Sequence, residues 1–477
     1  MKTNTLDFDA QALRERILDL AMRGKLVPQD PNDEPASVLL EKIKAEKEEL
    51  VKEKKIKKTK SLPAITDDEK PFDIPDSWEW VRLGDVTDVV MGQAPKGSNV
   101  NDQGEGIEFH QGKTEFTETV IGKSSKYTTD SNKIVDSNFI IMAVRAPVGD
   151  VNLLDRKISI GRGLAGIAPY ISNKIYIFYY LESIKNYFER RSTGSTFKAI
   201  NGNTIKNAVV PLPPLSEQSR IAAKIAQLFA LLRKVESSTQ QYAELQTLLK
   251  TKVLDLAMRG KLVKQDPNDE PASVLVEKIK AEKAELVKKK KIKKSKPLPP
   301  ITDEEKPFDI PDSWEWVRIS DVLDVRDGTH DTPKYVADGI PLITSKNISN
   351  GKLDFTNINF ISKDDFEKIN ERSKVDKGDI IFAMIGTIGN PVLVDTDTKF
   401  GIKNVALLKH FTDKLNMDFI LDYLLVLQVI WNSNATGAVQ KFVSLRKIRK
   451  SVLPLPPFKE QKKIVRKIDQ IFRMIGE

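Results

Sequence analysis

The chain has 477 residues, 76 Lys+Arg against 67 Asp+Glu, a formal net charge of +9 and no cysteine. That length predicts two or three domains, each large enough to bury its own core, and excludes a single small module. Without cysteine there are no disulfides, thiol nucleophiles or cysteine-ligated zinc, and His110, His330 and His410 are too scattered for a local metal motif.

In chain order, apolar spacing over Leu13–Met22 predicts a helix that Gly24 closes as a C-cap. A lysine-rich, helix-forming arm follows at 41–60, with nine Lys against five Glu. Such a run reads first as a solvated face or mobile linker, with contact to DNA phosphates as the sharper alternative. Trp78 and Trp80 are expected to anchor a mixed α/β domain beginning at Ser77. Within it, residues 138–144 are a short apolar run bounded by turn residues, hence a buried strand, and Ile175–Tyr187 has helical spacing. Pro211, Pro213 and Pro214 end that domain, and Ser216 is expected to N-cap a long helix with Glu217 in its first turn. Ile221, Ile225, Leu228, Leu232, Val235, Tyr242, Leu249, Val253 and Leu256 keep a heptad-like spacing. The helix is therefore expected to reach Met258 as a coiled coil roughly 60 Å long. A helical hairpin or homodimer stripe is the plainer alternative.

Beyond this point the sequence repeats itself. Leu18–Val86 recurs at Leu254–Val322 with a constant offset of 236, and 59 of the 69 positions are identical. The second arm, 277–296, holds ten Lys against three Glu, so the two arms together carry more positive charge than the whole chain. Trp314 and Trp316 repeat the aromatic anchor, and Gly260 repeats the C-cap. The domain that follows has diverged, but a skeleton survives: Ile140, Ile141, Gly149 and Gly161 match Ile380, Ile381, Gly389 and Gly401 at offset 240. It supplies a second apolar run at 379–385 and a second helical stretch at 418–431. Ile464, Ile468, Ile471 and Ile475 restart the heptad series at the end of the chain.

The expected fold is α/β: two globular mixed α/β domains separated by long antiparallel coiled-coil helices, with cyclic pseudo-twofold symmetry. The expected division is 1–76, a helical region with an arm; 77–211, the first variable domain; 212–312, the long helix and second arm; 313–454, the second variable domain; and 455–477, a terminal helix.

Polar loops that differ between the copies are where base readout is expected. In the first domain they carry Gln93, Lys96, Ser98, His110, Gln111, Lys113, Arg145, Arg162, Ser195, Thr196 and Lys198. In the second they carry Thr329, His330, Thr332, Lys334, Ser345, Lys346, Asn347, Lys403, Asn404, Gln440 and Lys441. Arg and Lys address guanine, Asn and Gln address adenine, and Ser and Thr adapt to either. The tryptophans are identical in both copies and cannot tell two sequences apart, so they are assigned to structure. No phosphate-binding G-x-x-x-x-G-K-[ST] loop, amino-methyltransferase signature or glycine-rich cofactor loop is present. A stand-alone nuclease or methyltransferase thus lacks visible machinery. A coiled-coil DNA-binding scaffold without sequence specificity is the other competing class.

The duplicated IPDSWEWVR (74–82 and 310–318), MGQAPKGS (91–98), RDGTHDTPKY (326–335), GDIIFAMIGTIG (378–389) and the PLPP-x-x-EQ exits (211–218 and 454–461) resemble specificity subunits of type I restriction-modification systems. The likeness covers essentially the full chain. It implies a non-catalytic DNA-recognition subunit with two target recognition domains, each reading half of a bipartite site. It also implies two methyltransferase (modification) subunits docked on the helices and a restriction/translocase subunit beside them, forming a restriction endonuclease and adenine methyltransferase. S-adenosylmethionine, ATP and Mg would belong to those partners, leaving no cofactor or metal on this chain. The lysine-rich arms depart from shorter family members. With no apolar signal core or membrane-length apolar stretch, the protein is expected to be soluble and cytoplasmic.

Overall fold

The computed structural model describes residues 9–58, 60–130, 133–194, 198–294, 296–349, 351–384, 388–433 and 442–476. The chain forms two compact units, Asp7–Thr239 and Gln240–Glu477.

In the first unit a helix, Ala10–Met22, ends where Gly24 adopts a φ of +67°. The Lys25 N–H reaches back to the Leu20 carbonyl at 2.8 Å, closing the helix end as the C-cap expectation requires. The arm follows as a helix over Ala36–Lys52, stopping well short of residue 60. Ile43 is buried on one face while Lys42, Lys44 and Lys52 are exposed, so this part of the arm is a helix with a solvated face and not a linker. Lys54, at a φ of +56°, turns the chain back. Arg82 then fixes the returning segment, donating to the carbonyls of Pro63 (3.0 Å) and Ala64 (3.0 Å) and to both oxygens of Glu69 (2.7 Å each). A fifth bond runs from the same guanidinium to the Asn207 carbonyl at 2.8 Å, tying the arm to the far end of the variable domain.

That domain enters through the strand Glu79–Arg82 and leaves through Val209–Leu212, which pair antiparallel with Trp80 opposite Pro211. Between them lies a four-stranded antiparallel sheet in the order Thr87–Met91, Leu164–Pro169, Ile140–Ala143, Val151–Leu153. A second sheet runs Val100–Asn101, Tyr127–Thr128, Ile107–His110, Ile158–Ile160, Ile134–Val135. Its Ile107–His110 and Ile158–Ile160 strands are parallel. The predicted strand is buried on both faces. Ile140 and Met142 face the helical core, which includes Leu18, Leu39, Tyr176 and Ile221. Ile141 points the other way, towards Val135, Ile158 and Ile160. Each fully buried Ile contributes about 1.5–3 kcal/mol relative to exposure. The expected helix at 175–187 is two, Lys174–Ser183 and Lys185–Arg190, broken at Ile184.

The second unit repeats this plan. Glu315–Arg318 pairs with Val452–Leu455, and a four-stranded sheet runs Asp324–Asp327, Val405–Lys409, Ile380–Ala383, Gly389–Leu393. Its second sheet runs Tyr335–Val336, Asn359–Ile361, Ile340–Ile343, Gly401–Ile402, and Ile340–Ile343 with Gly401–Ile402 is its parallel pair. The arm helix is Ala272–Lys288 and the helix after the sheet is Met417–Ser433. The helix Lys363–Ser373 has no counterpart among the described residues of the first unit.

The long helix spans Leu215–Met258, one residue earlier than expected. Ser216 therefore lies inside the first turn and is not the N-cap; its hydroxyl donates to Asp33 at 2.5 Å. Ile221 and Ile225 belong to the first unit's core, and Val253, Ala257 and Met258 to the second's. Between those ends Val235, Tyr242 and Leu249 of the heptad series are exposed and Leu228 and Leu232 half-buried, so the series is fully buried only where it meets a core. In the first unit Arg14 of the N-terminal helix pairs with Glu236 at 2.7 Å. In the second, the C-terminal helix Phe458–Met474 places the Phe472 ring 5.6 Å from the Lys250 ammonium.

The duplicated exits have a physical explanation. Glu217 is buried and accepts from the Trp78 indole at 2.9 Å and the Gln29 amide at 2.6 Å; Glu460 accepts likewise from Trp314 (3.1 Å) and Gln265 (2.9 Å). Gln218 and Gln461 donate to the Pro213 and Pro456 carbonyls and accept from the Asn173 and Asn416 N–H groups. Tryptophan entrance and Glu-Gln exit are thus one buried polar lock, as the structural assignment of Trp78 and Trp314 requires. Among the described residues no helix is long and apolar enough to cross a membrane.

Candidate nucleic-acid interface

At one end of the first variable domain several loops are stitched together by backbone hydrogen bonds. Gly92 N–H donates to Leu164 (2.9 Å), Gln93 to Ile160 (3.0 Å), Gly161 to His110 (2.7 Å) and Gly163 to Gln111 (3.1 Å). Val144 donates to Gly163 (2.9 Å) and Ala146 to Lys198 (3.0 Å), which brings in the neighbouring turns. The approach is close: a Cβ on Gly92 would lie 2.1 Å from the Gly161 carbonyl oxygen. The result is a cluster of turns presenting exposed Gln93, Gln111, Arg145, Arg162 and Lys198. Two guanidinium groups, an ammonium and two carboxamides are a donor set suited to base edges and phosphates. Lys96 and Ser98 are exposed farther along the first loop, at a short 3₁₀ turn, Gly97–Asn99.

Two of the expected readers do other work. His110 is fully buried, with Nε2 at 2.8 Å from Glu108 and Nδ1 at 3.3 Å from Glu115, so its ring offers no edge to a base. Lys113 is bonded to Asp150, which also holds Lys185 at 2.6 Å. Under His110 lies a network that sequence reasoning missed. Arg156 donates two bonds of 2.7 Å to the Glu108 carboxylate, and the Ser124 N–H donates a third at 2.7 Å. Burial pushes the Glu108 carboxyl up, but the bonds from Arg156, Ser124 and His110 outweigh it and hold it down to about 2.

The second domain uses the same stitches. Gly328 N–H donates to Val405 (2.9 Å), Thr329 to Ile402 (3.0 Å) and Lys403 to Ile343 (2.9 Å). By this pattern Gly161 corresponds to Lys403, not to Gly401 as a fixed offset suggested, because one loop is shorter. His110 corresponds to Ile343, which is buried in an apolar cluster with Ile348, Ile381 and Ile402. The presented side chains differ throughout. Exposed His330 contacts Asn404 Oδ1 (3.1 Å) and Asp327 Oδ2 (3.0 Å), and Lys403 donates to the Thr332 hydroxyl. Thr332, Lys334 and Lys346 are exposed; Thr329, Ser345, Lys403 and Asn404 are half-buried. Asn347 is buried, accepting from the Thr344 N–H (3.1 Å) and hydroxyl (2.9 Å), and shapes its turn instead of reading bases. Arg372, on the helix peculiar to this domain, reaches Asp327 at 3.6 Å and joins the polar surface without a sequence signal beyond its place in the helix's last turn. Ser195, Thr196, Gln440 and Lys441 lie outside the described residues. Among the described residues no group of three His, Asp or Glu is placed to hold a metal ion.

A family profile described as the type I restriction modification DNA specificity domain matches twice, over residues 75–247 and 311–476. The specificity subunit of the type I restriction enzyme EcoAI of Escherichia coli is 33% identical over 543 aligned positions, covering 98% of this chain and 89% of that protein. That of EcoEI, also from Escherichia coli, is 38% identical over 379 positions, covering 66% of this chain and 62% of that one. The crystal structure of the HsdS subunit from Thermoanaerobacter tengcongensis shares the fold at a TM-score of 0.50 and 19% identity, over 85% of this chain and 92% of that chain.

Proposed function

The chain belongs to the type I restriction modification DNA specificity family, and from that premise we propose that it reads a bipartite, non-palindromic duplex site, one variable domain to each half. The observation that carries this is one loop scaffold built twice with different side chains. The stitches through Gly92 and Gly328 are the same, while one unit presents Gln93, Gln111, Arg145 and Arg162 and the other carries Thr329, His330, Lys403 and Asn404 in its loops. A shared scaffold fixes how each domain meets a groove, and the differing donors decide which bases it accepts. The recognition domains are 77–211 and 313–454. The helical regions between and beyond them hold the half-sites at a fixed spacing and dock two methyltransferase subunits, with a restriction subunit completing the complex. The exposed apolar middle of the long helix, from Leu231 to Leu248, supports such docking. The chain itself is non-catalytic, and S-adenosylmethionine, ATP and Mg act on the partners.

Co-expression with the neighbouring methyltransferase gene, followed by methylome sequencing, tests this. The expected result is a two-part motif in which Arg162→Ala relaxes only one half and Lys403→Ala only the other, each contact contributing about 1–3 kcal/mol of discrimination. A single continuous motif, or relaxation of both halves by one substitution, would refute it. Salt-sensitive binding without any motif would favour the unspecific scaffold.

A further inference from the structure

The lysine-rich turns of the two arms are near-duplicates in sequence but sit in different surroundings. In the first unit Lys54, Lys57 and Lys58 are exposed, Lys55 pairs with Glu53 at 2.8 Å, and Ile56 is half-buried. In the second, Lys289 replaces that glutamate and Ile292 is buried, pinning the turn against the variable domain. There Lys290, Lys291, Lys293 and Lys294 line a groove of about 430 Å³ whose other wall includes Arg326 and Arg372. Eight basic side chains line it against three acidic ones.

Two of the three acids are already engaged: Asp324 holds Arg326 at 2.6 Å, and Asp327 is shared between His330 (3.0 Å) and Arg372 (3.6 Å). The four lysines have no carboxylate partner among the described residues. Packing of Ile292 and the clamp of Arg318 on Pro299, Pro300 and Glu305 hold the turn in place, so its ammonium groups are concentrated on one wall. Like charges held together favour a polyanion that displaces their counterions. The groove also leads to the candidate reading loop. Asp327 and Arg372 line a second cavity, of about 190 Å³, together with Gly328, Thr329 and Asp331.

We propose that this groove is a phosphate track, taking the backbone of duplex DNA as it leaves the half-site held by the second variable domain. The choice of DNA as the polyanion rests on the function proposed above. Contacts of this kind position the duplex and carry no sequence information. The first arm lines a smaller groove, of about 300 Å³, with Lys44 and Lys47 of its helix and not with the lysines of its turn, so that turn contributes less.

The test uses the full-length chain and random-sequence duplex DNA, with dissociation constants measured by fluorescence anisotropy between roughly 50 and 200 mM salt. Lys291, Lys293 and Lys294 are replaced by Gln in one variant, and the matching Lys55, Lys57 and Lys58 in another. At about 0.9 per phosphate contact, the second-arm variant should lose about 2 to 3 from its log–log salt slope, and the first-arm variant less than about 1. An unchanged slope in the second-arm variant, or equal losses in both, would overturn the proposal. Motif sequencing of the co-expressed second-arm variant should return unchanged half-sites, and altered half-sites would also count against a phosphate track. Failure of the sequence-reading function would instead appear as a wild-type chain with no motif, leaving the slope comparison intact.

Discussion

The two variable domains reach the same loop geometry on different foundations. In the first, the strand Ile107–His110 rests on a buried ionic network of Glu108, His110 and Arg156. In the second, the equivalent strand Ile340–Ile343 rests on Ile343, Ile381 and Ile402. The frames around them are the same: Trp78–Glu217 repeats as Trp314–Glu460, and Arg82–Glu69 as Arg318–Glu305. The frame is fixed by its duplicated sequence, whereas the support beneath the loops is free to change its chemistry so long as the backbone stitches survive.

Arg156→Ala separates the two foundations most strongly. It would leave the Glu108 carboxylate, whose side chain is only 11% exposed, without its main cation. The expected loss is about 2–4 kcal/mol, somewhat below the range for a fully buried pair because a quarter of the arginine side chain reaches water. Hydrogen exchange should locate that loss in the first unit alone, and loss in both units would contradict the difference drawn here.

Trp78→Phe and Trp314→Phe act on the frame that the two units share. Each removes a donor from a buried glutamate at a cost of about 1–3 kcal/mol, and chemical denaturation should register similar costs for the two. Unequal costs would mean that the duplicated frames are not energetically equivalent.

Acid gives the smallest contrast. Arg82 and Arg318 hold the Glu69 and Glu305 carboxyls down to about 2, so both units lose this contribution together. Glu108, also held at about 2, adds to the first unit only. A depressed carboxyl stabilises the fold fully above its ordinary value near 4.5, and the contribution disappears as pH falls towards 2. Hydrogen exchange across that window should show the first unit losing protection at the higher pH.

Much of the fold was legible in sequence because its signals are local. Apolar runs at Ile140–Ala143 and Ile380–Ala383, and glycines closing helices at Gly24 and Gly260, need no distant partner to be recognised. Burial of a single polar residue in a loop-rich domain is different. His110 and Asn347 have the chemistry of base readers, and only tertiary packing turns them inward. One signal was available for His110, since its structural counterpart is the apolar Ile343, but seeing it requires aligning the copies by strand pairing across loops of unequal length. Arg156 likewise looked like any surface arginine until the chain brought Glu108 beside it.

The pairing of Glu79–Arg82 with Val209–Leu212 has one more consequence. Everything between those strands leaves and re-enters the frame at the same place, and the second unit repeats the arrangement with Glu315–Arg318 and Val452–Leu455. Each recognition domain is therefore a cartridge seated in a socket whose contacts, the tryptophan lock and arginine clamp, lie almost wholly in the duplicated sequence. A change of loops or side chains inside the cartridge therefore leaves the socket's contacts untouched, which separates what each domain presents from what holds it in place.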